Sequence, residues 1–188
     1  MDTKESRMIA AAARGNRNGH HAILELYGKQ VFEQIARLVD SPLDAEELAQ
    51  DTFVKAFQHI SSFDESKATF STWISRIAYN CTINHLKRKK PLLVPFYDTT
   101  EPYTAHPSTT EPISNEDTDE ERRIQLLEQS IEHLLPDEKA LLTFYYYENR
   151  SMRDIAYIMD TEPTILSSRL YRIRRKLYKF IKTKQNIN

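Results

Sequence analysis

The sequence predicts an all-α protein built as two small helical domains joined by an extended acidic linker. Apolar residues recur at steps of three and four through most of the chain, and no segment alternates apolar and polar long enough for a convincing strand. The stretch from Pro91 to about Asp119 interrupts that pattern. It holds five prolines (Pro91, Pro95, Pro102, Pro107, Pro112), many Thr and Ser, and a concentration of acids. Charge divides at the same places. Residues 1–90 carry 13 Lys+Arg against 11 Asp+Glu, a net of +2; residues 91–121 carry none against eight, −8; residues 122–188 carry 13 against eight, +5. The overall charge of −1 thus hides two basic modules on either side of an acidic connector. At that length the connector is a boundary between domains 1–90 and 122–188, not a loop within one core.

Composition removes several function classes. The three glycines (Gly15, Gly19, Gly28) cannot build a Gly-rich phosphate cradle, which excludes the usual dinucleotide and P-loop folds. One cysteine, Cys81, permits neither an intramolecular disulfide framework nor a Cys-based zinc cluster, and fits a reducing, cytoplasmic setting. No apolar run approaches the roughly 20 residues of a membrane span, so no membrane insertion of its own is expected. No signal-peptide pattern precedes Arg14.

Each element has a local cause. Helices are expected from Lys4 to about Gly15, and from Asn18 to Leu38 on the stripe Ile23, Leu26/Tyr27, Val31, Ile35 and Leu38. Ser41-Pro42 breaks the chain, and Asp44 is the expected cap of a helix burying Ala45, Leu48, Thr52, Ala56 and Ile60. Ser61 to Thr69 reads as a polar loop. Thr69 or Ser71 then starts a long helix through Trp73, Ile74, Ile77 and Cys81 to the basic end Lys87-Arg88-Lys89-Lys90, which also suits the helix dipole. Helix resumes at Arg122 with Ile124, Leu127, Ile131 and Leu134, and Pro136 ends it and opens the next, 137–148. TFYYY, 143–147, is the one strand candidate, and its helical flanks argue against it.

Ser151 to Leu177 is the most informative stretch. It reads as a short helix with Ile155, Ile158 and Met159 inward, a tight turn, and a basic second helix opened by Pro163. In that helix Leu166, Leu170, Ile173 and Leu177 form one buried stripe, leaving Ser167, Ser168, Tyr171, Arg172 and Arg175 on other faces. Such a helix-turn-helix presents side chains to the DNA major groove; the plainer alternative is a solvated basic surface helix.

The segment resembles region 4 of a bacterial RNA polymerase sigma factor of the extracytoplasmic-function group, in the sigma-70 family. The shared residues are Leu135-Pro136, Ser151, Asp154-Ile155-Ala156, Ser168-Arg169-Leu170, Arg172, Arg174 and Leu177. It departs at the start of the recognition helix, where Thr164, Ile165 and Ser167 stand in place of Gly, Thr and a basic residue. The N-terminal half resembles region 2 of the same group. AEELAQDTFVKAF (45–57) is similar to the helix that docks on polymerase, and FDESKATFSTWISRIAYNCTINHLKRKK (63–90) to the part that melts and reads the −10 promoter element. The acidic connector stands where that family has its linker toward the polymerase active centre.

The resemblance implies an alternative sigma factor: no catalysis, no cofactor, core RNA polymerase and promoter DNA as partners, and an anti-sigma factor that occludes these faces. It implies −35 contacts from Thr164, Ser167, Ser168, Arg169, Tyr171, Arg172, Arg175 and Lys176. It implies −10 contacts from Lys67, Trp73, Arg76, Tyr79, Asn80, Asn84, Lys87 and Arg88, all read as outward except Trp73. Trp73 is the candidate wedge, yet with Ile74 and Ile77 it follows core spacing. Asn80 stands at the base-pocket position, where an amide can make paired hydrogen bonds. Glu46, Glu47, Gln50, Asp51, Phe53 and Lys55 are the expected polymerase contacts.

Two other readings compete. A stand-alone operator-binding regulator would share the helix-turn-helix but would need neither the 45–57 helix nor the tether. An enzyme would need a ligand or nucleophile set, and the six histidines have no ligand spacing; His21 and Glu25, one turn apart, look like a surface pair.

Overall fold

The computed structural model describes residues 3–89 and 117–185; the expected linker falls almost wholly outside them. All the regular structure among the described residues is helical. The N-terminal half comprises α1 (Thr3–Ala13), α2 (Arg17–Ala36), α3 (Pro42–His59) and α4 (Phe70–Lys89), with a short 3-10 turn, Ile60–Ser62, after α3. The C-terminal half comprises α5 (Asp117–Glu132), α6 (Pro136–Leu142), a π turn over Thr143–Tyr147, α7 (Met152–Met159) and α8 (Pro163–Gln185). Helix thus begins at Asp117, five residues before the expected Arg122.

Caps set the boundaries. Ser41, not Asp44, is the N-cap of α3: its Oγ accepts from Asp44 N–H at 3.3 Å, and Pro42 fills the first turn where a missing N–H costs nothing. The Asp44 carboxylate instead receives Lys89 from the end of α4, with His85 Nε2 at 3.4 Å. That hydrogen bond from Lys89 holds the Asp44 carboxyl below the usual carboxylate range. Ser151 caps α7, accepting from Asp154 N–H at 3.1 Å. Asp160 ends α7 in the left-handed region (φ 53°, ψ 53°), a conformation a short polar side chain tolerates, and so makes the tight turn into α8. Gly19 is required for a different reason. A Cβ there would lie 2.5 Å from Ala12 N, so only glycine lets α2 approach α1 this closely.

The first core is closed by α1–α4. Ile23, Val31 and Ile35 of α2 meet Ala45, Leu48 and Ala56 of α3 and Phe70, Ile74 and Ala78 of α4. Burying each large apolar side chain stabilises by about 1.5–3 kcal/mol. A second core joins α6, the π turn, α7 and α8 through Leu141, Phe144, Ile155, Ile158, Leu166, Leu170 and Ile173. It also takes in Leu38, Tyr79 and Ile83, so the two halves pack directly, α4 lying against α7 and α6. Of the stripe on α5, Leu134 just beyond it is buried, whereas Ile124 and Leu127 remain exposed (50% and 40%). TFYYY is a wide π turn, with Glu148 N–H bonded to Thr143 O at 3.0 Å. It sends Phe144 inward and Tyr146 and Tyr147 outward.

Candidate nucleic-acid interface

The C-terminal candidate is α8. Its buried stripe of Leu166, Leu170 and Ile173 fixes which way the helix faces. Thr164, Ser167, Arg169, Tyr171, Arg172, Arg175 and Lys176 are exposed and Ser168 is half-buried, so all eight expected −35 residues reach the surface. Ser168 Oγ donates to Thr164 O at 3.3 Å, and Arg172 Nε to Ser168 O at 3.4 Å. Lys176 is committed elsewhere as well, pairing with Glu138 at the head of α6. Arg174 has turned away from this face. Its Nε donates to Tyr146 Oη at 2.7 Å, bracing α8 on the π turn.

The N-terminal candidate is α4 and the loop before it. Lys67, Asn80, Asn84, Lys87 and Arg88 are exposed. Arg76, Asn80, Asn84 and Lys87 follow at steps of four, four and three, a single stripe along the helix. Two expected contacts fail on burial. Trp73 (7% exposed) is core, its ring 5.3 Å from Phe70 and 5.7 Å from Phe63, as its spacing with Ile74 favours. Tyr79 (8% exposed) does not face outward: it packs edge-on to Phe144 and donates to Asp137 Oδ1 at 3.0 Å. Burial and that carboxylate push the Tyr79 hydroxyl up, so it remains a neutral donor.

Tyr79 is buried because α4 has a second face, covered by the C-terminal half. Arg76 Nη2 donates to Asp160 Oδ1 at 2.9 Å and Nη1 to Tyr157 O at 3.1 Å, tying α4 to the turn of the helix-turn-helix. Arg150 Nη2 donates to Ser75 Oγ at 2.9 Å and Nη1 reaches Thr72 Oγ1 at 3.3 Å, while its Nε holds Glu148 Oε2 at 2.9 Å. Ser75 Oγ also accepts from Gln30 Nε2 at 3.0 Å, so one hydroxyl joins α2, α4 and the C-terminal half. Arg37 stacks 4.3 Å over the Tyr147 ring. Burial raises the Glu148 carboxyl above its usual range, opposed by Arg150 and Arg37, and its Oε1 is buried without a hydrogen-bond partner. This polar network borders the apolar contact that Leu38, Tyr79 and Ile83 make with the C-terminal half.

The candidate partner-binding helix is α3. Glu46, Glu47, Gln50, Asp51 and Lys55 are exposed, but Phe53 (6% exposed) belongs to the core beside Phe57 and is no surface contact. Lys55 Nζ folds back to 3.4 Å from Cys81 Sγ. Two apolar residues went unanticipated: Leu43 (75% exposed) and Val54 (54%). With Glu47 and Gln50 they follow at steps of four, three and four on the outward face. Apolar residues in register with a charged stripe were the available signal. On α2, His21 Nε2 and Glu25 Oε1 are an exposed pair at 3.3 Å.

Comparison with known proteins follows the same division. Residues 23–91 match the family described as sigma-70 region 2, and residues 124–177 match sigma-70 region 4. The chain is 32% identical over 91 residues, 48% of each chain, to the extracytoplasmic-function (ECF) RNA polymerase sigma factor SigW of Bacillus subtilis. Against the RNA polymerase sigma-H factor of Pseudomonas aeruginosa it is 25% identical over 183 residues, 94% of this chain and 93% of that one. Its fold is similar to that of the sigma factor RpoE of Bartonella quintana, solved with the anti-sigma factor NepR. The TM-score there is 0.59 at 21% identity, covering 86% of this chain and 96% of that one.

Proposed function

The chain belongs to the sigma-70 family as a member of its extracytoplasmic-function group, and on that premise we propose how an alternative sigma factor divides its work among these residues. Such a factor binds core RNA polymerase and directs promoter-specific initiation. The outward stripe of α3, Leu43, Glu47, Gln50, Asp51 and Val54, docks on polymerase. Lys67, Asn80, Asn84, Lys87 and Arg88 hold and read the opened −10 strand, the amides bonding bases and the cations lining phosphates. Thr164, Ser167, Ser168, Arg169, Tyr171, Arg172, Arg175 and Lys176 face the −35 duplex. Trp73 and Phe53 keep the bundle rigid and touch neither partner. The chain catalyses nothing itself and acts in the cytoplasm with polymerase. An anti-sigma factor is a further partner, as for the Bartonella relative.

The observation that carries this reading is the pairing of two exposed basic faces, on α4 and α8, with a third, polymerase-suited face on α3. The arrangement described above is the one before promoter engagement. The two elements lie 25 base pairs apart by their names, about 85 Å of duplex at ~3.4 Å per pair. A compact chain of this size has a radius of gyration of only about 16 Å. Arg76 and Asp160 must therefore separate, and the 27 residues between Lys89 and Asp117 have a covalent reach of about 90 Å. Separation also uncovers Arg76, the first residue of the stripe on α4.

Run-off transcription on genomic fragments tests the reading. Core polymerase with the chain should yield discrete promoter-dependent transcripts that core alone does not. A stand-alone regulator would instead bind duplex operators tightly without polymerase, and would not restore initiation to core.

A further inference from the structure

α8 is longer than its family match. That match ends at Leu177, while the helix continues to Gln185. Opposite its buried stripe, Thr164, Ser168, Arg172, Arg175, Lys179 and Lys182 follow at steps of four, four, three, four and three. At about 100° per residue they fall within an arc of roughly 80°. From Pro163 to Gln185 there are eight Lys and Arg and not one Asp or Glu. Lys179 and Lys182 are exposed, and among the described residues neither is paired with a carboxylate; Lys182 Nζ lies 5.9 Å over the Tyr178 ring. Cations in a last turn suit the helix dipole, which applies to Lys182 and Lys184 alike. It does not account for a stripe collinear with the outward face two turns earlier.

We propose that Lys179 and Lys182 extend this face into a sequence-independent phosphate contact on the duplex beside the −35 element. The proposal rests on Thr164–Lys176 facing that duplex. Ser168 to Lys182 spans about 21 Å of helix, while the major groove is only ~12 Å wide. With Ser168 to Arg175 in the groove, Lys179 and Lys182 lie past its rim, where the phosphates run. Lysine suits that place, being a point charge on a flexible stem that needs no fixed partner geometry.

Binding of the full-length chain to a 40-base-pair duplex of arbitrary sequence, followed by fluorescence anisotropy from 50 to 200 mM KCl, tests this. Each lost phosphate contact lowers the slope of log affinity against log salt by about 0.9, so K179Q/K182Q should lower it by about 1.8. Across that fourfold range the double variant should lose about 12-fold less affinity than the parent. K184Q, off the stripe, should leave the slope unchanged. An unchanged slope in K179Q/K182Q overturns the proposal, as does an equal fall in K184Q. K179R/K182R must keep the parental slope, which separates lost charge from lost fold. If the double variant instead weakens only binding to core polymerase, the stripe serves that protein and the proposal fails. Run-off transcription reports separately: transcripts with an unchanged slope sink the phosphate contact alone, and a lowered slope without transcripts sinks the sigma assignment alone.

Discussion

Arg76 of α4 donates to Asp160, the left-handed residue that turns α7 into α8, at 2.9 Å across 84 positions of sequence. One ion pair thus joins the stripe proposed to read the −10 strand to the turn that leads into the helix proposed to read the −35 duplex. The proposed simultaneous reading of both elements requires that this contact, and the network beside it, break.

The members of that network contribute unequally. Asp160 is 81% exposed and Arg76 33%, so Asp160→Ala should shift the closed–open balance by no more than about 1 kcal/mol. Arg150 (12% exposed) and Glu148 (16%) form an almost dry pair, and Arg150→Met strands a buried carboxylate. We expect that change to favour opening by about 2 kcal/mol or more. Hydrogen exchange of α4 and α7 amides would show it; equal protection in both variants would contradict the ranking.

Glu148 makes closure pH-dependent in a defined direction. Burial raises its folded pKa, so its contribution is fully present below the ordinary Glu range and is lost as pH rises through the raised value. Glu33 adds to that rise, and Arg150 and Arg37 oppose it. Glu148→Gln removes the titration and keeps the shape. The melting temperature of the variant relative to the parent should therefore increase between pH 5 and pH 7.5. A constant difference across that window would show that Glu148 does not titrate there.

Arg172→Ala should weaken promoter binding by holoenzyme by about 1–3 kcal/mol, and only where a −35 element is present. Arg172 is exposed and only loosely bonded to Ser168 O, so the fold should survive. Unchanged initiation from −35-dependent promoters would exclude the role.

Asn80→Ala should slow open-complex formation more than it weakens polymerase binding. Asn80 is exposed on α4, and its removal opens no cavity. Equal loss of both steps in stopped-flow and binding assays would point to a folding defect.

What the sequence made legible was local. Steps of three and four located α2, α4 and α8, and Pro163 marked the opening of the second helix of the helix-turn-helix, because each of these signals lies within a few residues. The closed interface was not legible. Its bonds join residues far apart, Arg150 to Ser75 and Tyr79 to Asp137, and each polar member taken alone resembles a solvated one. Tyr79 was misread for that reason. The available signal was Thr72, Ser75 and Tyr79, hydroxyls at helical spacing on a face that needed none. Phe53 was misread because its polar neighbours Gln50 and Asp51 lie on the outward face while its own position turns inward. Leu43 and Val54 escaped because exposure of an apolar residue is set by what the rest of the fold leaves uncovered.

The most direct measurement is the distance between the two halves during initiation. Donor and acceptor dyes on A36C and E128C, with the buried Cys81 replaced by serine, would follow it by single-molecule energy transfer. The free chain should show one high-efficiency state, falling to low efficiency when core polymerase and promoter are added. High efficiency retained in a transcriptionally active promoter complex would contradict the account, since −10 and −35 could not then be read at once.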